Sequence, residues 1–144
     1  SHANGKPGAL GHGEQVHHPV LLGETLVAEP VLYDQRTGRR LNPDSLDDSD
    51  PWFISRPGHS CGTMSGAGDC VFFRAGNPTV MSLDERVSSE TRFRTLSPSR
   101  VGCWINIIPA QGLVLIPEAS SGCVCGYALQ TSMAFRPVKR RSDK

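Results

Sequence analysis

Apolar residues occur along this chain in short runs separated by small, polar, turn-forming residues. Three runs stand out as central strands: Thr25–Ala28 (TLVA), Cys70–Phe73 (CVFF) and Leu113–Ile116 (LVLI). Each is followed by a turn and a second apolar run, at Val31–Tyr33, Val80–Leu83 and Gly126–Leu129. Each is preceded by a further candidate strand, at Val16–Leu21, Cys61–Ser65 and Cys103–Ile108. Trp52–Ser55 and Thr91–Thr95 have the mixed pattern of outer strands. In Thr131–Arg136, Met133 and Phe135 alternate with Ser132, Ala134 and Arg136. Alternation of this kind predicts half-buried strands. No segment sustains a helical period, and Leu41–Asp50 is rich in Asp, Asn and Ser, as loops are.

The pattern repeats. The segments Leu21–Leu41, Gly66–Phe93 and Pro109–Phe135 can be laid over one another, with central strands beginning at 25, 70 and 113, offsets of 45 and 43 residues. Each unit reads as about four short antiparallel strands in about 44 residues, the size of a propeller blade. The expected fold is all-β and antiparallel, with about three blade units forming an open fragment or part of a larger ring. The alternative is a compact β-sandwich or barrel. The expected organisation is a flexible arm over residues 1–15, the repeat domain over 16–137 and a basic tail over 138–144.

Composition narrows the class. Glycine and proline supply 15 and 11 of the 144 residues, which suits short strands joined by tight turns. A net charge of +1 provides no electrostatic pull toward nucleic acid or anionic membrane. No apolar stretch approaches the roughly 20 residues of a membrane helix. The N-terminal segment has neither the basic flank nor the apolar core of a signal peptide, so a targeting segment is expected to be absent or already removed. Five cysteines in so short a chain point to an oxidising, periplasmic or extracellular location.

The turn in YDQRTGRRL (Tyr33–Leu41) resembles the signature of the quinoprotein-like, or PQQ-like, β-propeller repeat, in which a strand ends in Ala-x-Asp-x-x-Thr-Gly-Lys and a tryptophan follows. Asp34, Thr37 and Gly38 fit the turn and Arg39 stands at its basic position. Leu32 departs from the alanine and Asn42 from the tryptophan. The second unit keeps only Leu83-Asp84 of this motif, and the third has lost it. SCGTMSGAGDCVFFR and GCWINIIPAQGLVLIPEASSGCVCGYALQTS are similar to the C-terminal blades of large secreted PQQ-like repeat proteins of environmental bacteria, planctomycetes especially. The resemblance implies a propeller fold and export. It does not imply bound PQQ, because many such propellers are scaffolds without cofactor.

The candidate chemistry is sparse. Cys61, Cys103, Cys123 and Cys125 sit beside glycine in turns or strand starts, and Cys70 lies inside an apolar strand. The expectation is two disulfides, with Cys70 a buried thiol. Cys61 and Cys103 open equivalent strands, which makes a Cys61–Cys103 bridge with a local Cys123–Cys125 bridge feasible; the crossed pairings stay open. The competing use of the four thiolates, a zinc site, lacks any CxxC pair, and no metal site is assigned. His17 and His18 precede Pro19, and His59 precedes Cys61 at the equivalent place. If Val16–Leu21 is an innermost strand, one of His17 and His18 faces an axial channel that His59 also reaches. Trp104 and Asn106 alternate on one strand, a pattern that suits sugar stacking or a core tryptophan. Arg92, Arg94 and Arg100 are expected on a solvated strand face.

No acid, base and nucleophile converge in this sequence, and no G-x-S-x-G elbow is present. The expected function is a non-catalytic binding or scaffold module of an exported protein. Two alternatives come from other classes: an oxidoreductase segment holding PQQ or a metal through His17, His18 or His59, and a carbohydrate-binding module using Trp104. Three blades cannot close a ring, so the expected partners are a second copy or missing blades, with a glycan or small molecule as ligand.

Overall fold

The computed structural model describes residues 18–28, 31–41, 62–84, 86–87, 89–102, 105, 107–118 and 131–138. They form an all-β structure of three antiparallel sheets, none closed into a barrel. The first sheet holds β1 (Val20–Leu22), β2 (Thr25–Ala28) and β3 (Val31–Asp34) in that order. The second holds β4 (Ser65–Ala67), β5 (Cys70–Ala75), β6 (Asn77–Ser82) and β7 (Phe93–Thr95), with one helical turn, α1 (Ser89–Arg92), leading into β7. The third holds β8 (Ile108–Ala110), β9 (Leu113–Ile116) and β10 (Met133–Phe135).

Each unit begins with the same device, a two-residue hairpin loop. The closing pairs are Leu22 with Thr25, Ala67 with Cys70, and Ala110 with Leu113. So short a loop needs positive φ, supplied by Gly23 and Gly68 in the first two units and by Gln111 and Gly112 in the third. The tightness of these loops corrects the expected strand positions. The first strand of each unit directly abuts its central strand and starts at Val20, Ser65 or Ile108, later than hydrophobicity alone suggested. The central strands at 25, 70 and 113 stand where expected. In the second unit, β6 starts earlier than expected, at Asn77, and Pro78 inside it uses its carbonyl to accept a bond from Leu96. The expected strands Trp52–Ser55 and Gly126–Leu129, the arm over 1–15 and all of the tail except Val138 lie outside the described residues.

The sheets pack face to face with the second in the middle. Val71, Phe73 and Met81 of the middle sheet join Val27 and Leu32 of the first sheet in one core. Phe72 and Val80, on the opposite face, join Ile107 and Ile116 in a second core. Alternate residues of β5 therefore enter different cores, as the period of two requires. Both faces of the middle sheet are covered, so its central strands read as continuous apolar runs.

The first strands of the three units lie side by side, β4 between β1 and β8. Ser65 and Gly66 make both junctions. The Ser65 hydroxyl donates to the Ile107 carbonyl on one side. On the other side, Gly66 passes under Val20 and Leu22 so closely that a Cβ would lie 2.8 and 2.6 Å from their methyl groups. The arrangement is consistent with a propeller: the sheets pack face to face, with their first strands side by side.

Candidate functional site

A cavity of about 460 Å3 opens on the middle sheet, lined by Cys70, Val80, Ser82, Val87, Thr91, Arg92 and Arg94. Register explains the grouping. Cys70 pairs with Ser82 and Val80 pairs with Arg94, so these side chains share the face directed at the third sheet. The helical turn α1 closes the cavity with Thr91 and Arg92.

Arg92 is not on a solvated face, contrary to expectation. It is 5 % exposed, and its guanidinium donates to the carbonyls of Ser82, at 3.1 Å, and Val87, at 3.0 Å. The one-turn helix turns it inward, where carbonyls at the end of β6 and in the following loop receive its charge. Arg100 is buried as well, at 1 % exposure; only Arg94 is exposed as expected. Two of the three arginines thus serve the interior.

Cys70 is a free thiol, half-buried at the cavity wall rather than fully enclosed. Desolvation pushes its pKa above the ordinary value, the Asp69 carboxylate adds to the shift, and Arg94 opposes it. The thiol is therefore protonated at neutral pH and a poor nucleophile. Two guanidinium groups, one hydroxyl from Ser82 and one from Thr91, and apolar walls from Val80 and Val87 suit binding more than bond-breaking.

A second local construction follows β3. The Asp34 carboxylate accepts from the Arg36 and Thr37 amides, at 3.0 and 2.7 Å, and from the Thr37 hydroxyl at 2.7 Å. The same hydroxyl accepts from the Arg39 amide at 3.3 Å, and Gly38 takes φ +69°. These are the caps that the Asp-x-x-Thr-Gly pattern predicts. The second unit keeps more of the turn than its sequence suggests. Asp84 accepts from the Arg86 amide at 2.9 Å and from the Arg86 guanidinium through both carboxylate oxygens. The Arg86 side chain takes the place of the threonine hydroxyl. Its bonds, above all, hold the Asp84 carboxyl at about 2. Asp34 is likewise lowered, first by the Thr37 hydroxyl.

Of the expected ligand residues, only His18 lies within the described residues. His18 is exposed and precedes β1, which begins at Val20. His17, His59, Trp104, Asn106, Cys61, Cys103, Cys123 and Cys125 lie outside the described residues. Among the described residues, no three His, Cys, Asp or Glu side chains cluster as a metal site. The residues that sequence reading missed are Gly66 and Ser65, which join the units, and Arg92, whose inward turn depends on α1. The repeat of Gly-x or x-Gly before each central strand was the available signal for the hairpins. Comparison with protein-family models, curated proteins and solved structures gave no match.

Proposed function

We propose that this chain is a non-catalytic binding or scaffold module of an exported protein, built from blades of the PQQ-like propeller type. The observation that carries the reading is the stack of three sheets with their first strands side by side, β1 beside β4 beside β8. Such a stack presents faces and edges for assembly. The capped Asp34–Gly38 turn supports the blade type. The cavity beside Cys70 supports binding: at about 460 Å3 it falls in the range of small-molecule sites, and its protonated thiol and carbonyl-bound Arg92 favour holding a ligand over transforming one. Export draws its support from the five cysteines of the chain.

Absorbance spectroscopy and elemental analysis of the purified protein test the non-catalytic part. The expected result is no quinone band and no stoichiometric metal. Either signal overturns the reading in favour of a redox segment. Thiol counting on denatured protein refolded in a glutathione redox buffer tests the oxidised state that export implies. One free thiol per chain is expected, that of Cys70, and five would remove the case for export.

A further inference from the structure

The wall of the cavity beside Cys70 is one-sided in charge. Arg92 and Arg94 stand on it, and no carboxylate does among the described residues. The nearby acids Asp69 and Asp84 instead line a separate hollow of about 270 Å3 beside the first two hairpin loops. There Arg86 holds both Asp84 oxygens.

Strand register places the donors. Arg94 lies opposite Val80, and Ser82 follows Val80 on the same face of β6. Arg94 and Ser82 are therefore diagonal neighbours, about 7–8 Å apart, a gap that an arginine spans. The Ser82 hydroxyl accepts from the Asp84 amide at 3.2 Å, which leaves its proton for an outside acceptor. Arg94 is exposed, and its guanidinium has no hydrogen-bond or ion-pair partner among the described residues. Arg92 is fixed behind them by the Ser82 and Val87 carbonyls. Neutral carbonyls hold its charge in place without cancelling it, and little water reaches it to screen it. Val80, Val87 and the uncharged Cys70 thiol supply apolar wall.

We propose that this cavity binds a small organic carboxylate with an apolar body. Arg94 and the Ser82 hydroxyl receive the carboxylate in the field of Arg92, and the body lies against Val80, Val87 and Cys70. These groups offer protons, so the site asks for an acceptor, and the arginine fork matches the two oxygens of a carboxylate. A cation is repelled by two guanidinium groups. A bare inorganic anion leaves the apolar wall in water, and a neutral apolar molecule leaves the charges unanswered. The volume, about 460 Å3, admits a ligand of this size. The inference rests on the reading of the cavity as a binding site and adds the class of its ligand.

Phenylacetate is the probe, with 2-phenylacetamide as its neutral counterpart and inorganic phosphate as an anion without an apolar body. Titration calorimetry on the full chain gives affinity. Alkylation of Cys70 at pH 9.0, the ordinary thiol value, read by peptide mass spectrometry, gives location. Phenylacetate is expected to slow Cys70 alkylation saturably and to bind about tenfold or more tighter than either control, the range for a hydrogen bond to a charged group. Arg94→Gln should weaken phenylacetate by a similar factor and leave 2-phenylacetamide unchanged, each protein being compared with its own ligand-free rate. An amide that protects Cys70 as well as the acid does overturns the carboxylate while the cavity remains a binding site. Phosphate binding as tightly as phenylacetate overturns the apolar body. No protection by any of the three into the millimolar range overturns the inference together with the cavity's role in binding. The comparison of probes needs no variant, so it decides even where Arg94→Gln loses the parent circular dichroism spectrum. A metal or quinone in the purified protein would overturn the non-catalytic reading and leave this comparison standing.

Discussion

Gly66 of β4 and Leu22 of β1 meet where a side chain has no room: a Cβ on Gly66 would sit 2.6 Å from a Leu22 methyl and 2.8 Å from a Val20 methyl. The glycine is there for the close approach of two first strands, which sets the spacing between the first two sheets.

Gly66→Ala is therefore expected to destabilise the fold. Forcing a methyl into a packed contact costs about 1–3 kcal/mol, and the reduced freedom of the unfolded chain returns only about 0.4–1. Leu22 can rotate part of the way, but Val20 has a short, stiff side chain. Chemical denaturation of the variant and the parent measures the difference. Unchanged stability would mean that β1 and β4 do not pack at this distance in solution.

Phe73 carries the core between the first and second sheets. It is 1 % exposed, and its ring meets Phe93 edge to face, with centroids 6.4 Å apart at 78°. Phe73→Ala is expected to cost about 3–5 kcal/mol, the range for emptying a buried aromatic site. The exposed Leu21→Ala change should fall within about 0.5 kcal/mol. Equal effects of the two changes in denaturant titrations would contradict the assignment of faces.

The Asp84 carboxyl titrates at about 2, below the ordinary 3.8, chiefly through its bonds from the Arg86 side chain. A lowered folded-state pKa means that the ionised form favours the fold. The contribution is complete above about pH 4 and fades as pH falls toward 2. Asp84→Asn should melt below the parent at pH 7, and the gap should close as pH falls through this window. The Arg86 partner is exposed, so added salt should also narrow the gap. A gap independent of pH would assign the effect to the backbone turn alone.

Cys70 should react slowly with a thiol reagent in the folded protein at pH 7. The rate should rise only above the ordinary thiol value of 9.0, because burial and then Asp69 oppose ionisation. Removing the Asp69 charge with Asp69→Asn should move the inflection down. Cys70→Ser should keep the fold, since the position lines a cavity that already contains Ser82. Rapid alkylation of the native protein at neutral pH would show that the thiol is activated, and would reopen the question of catalysis.

The three central strands, their 45- and 43-residue offsets and the Asp34–Gly38 turn were legible without coordinates. Strand alternation and turn chemistry are local: they act over a few residues, and the residues state them. Even the fates of Phe72 and Phe73, in different cores, follow from the period of two once β5 is known to be covered on both sides. What the residues could not state was which neighbours would come into reach. Gly66 looks like one turn glycine among fifteen until β1 passes over it. Arg92 looks like part of a solvated face until one helical turn points it at the Ser82 and Val87 carbonyls. Cys70 looks fully buried until β6, β7 and the turn α1 frame a cavity beside it. The central strands and the Asp34–Gly38 turn were determined by the sequence alone because their energetics are short-range. The junctions between sheets and the buried arginines were decided by tertiary structure, because they depend on contacts that the local sequence does not state.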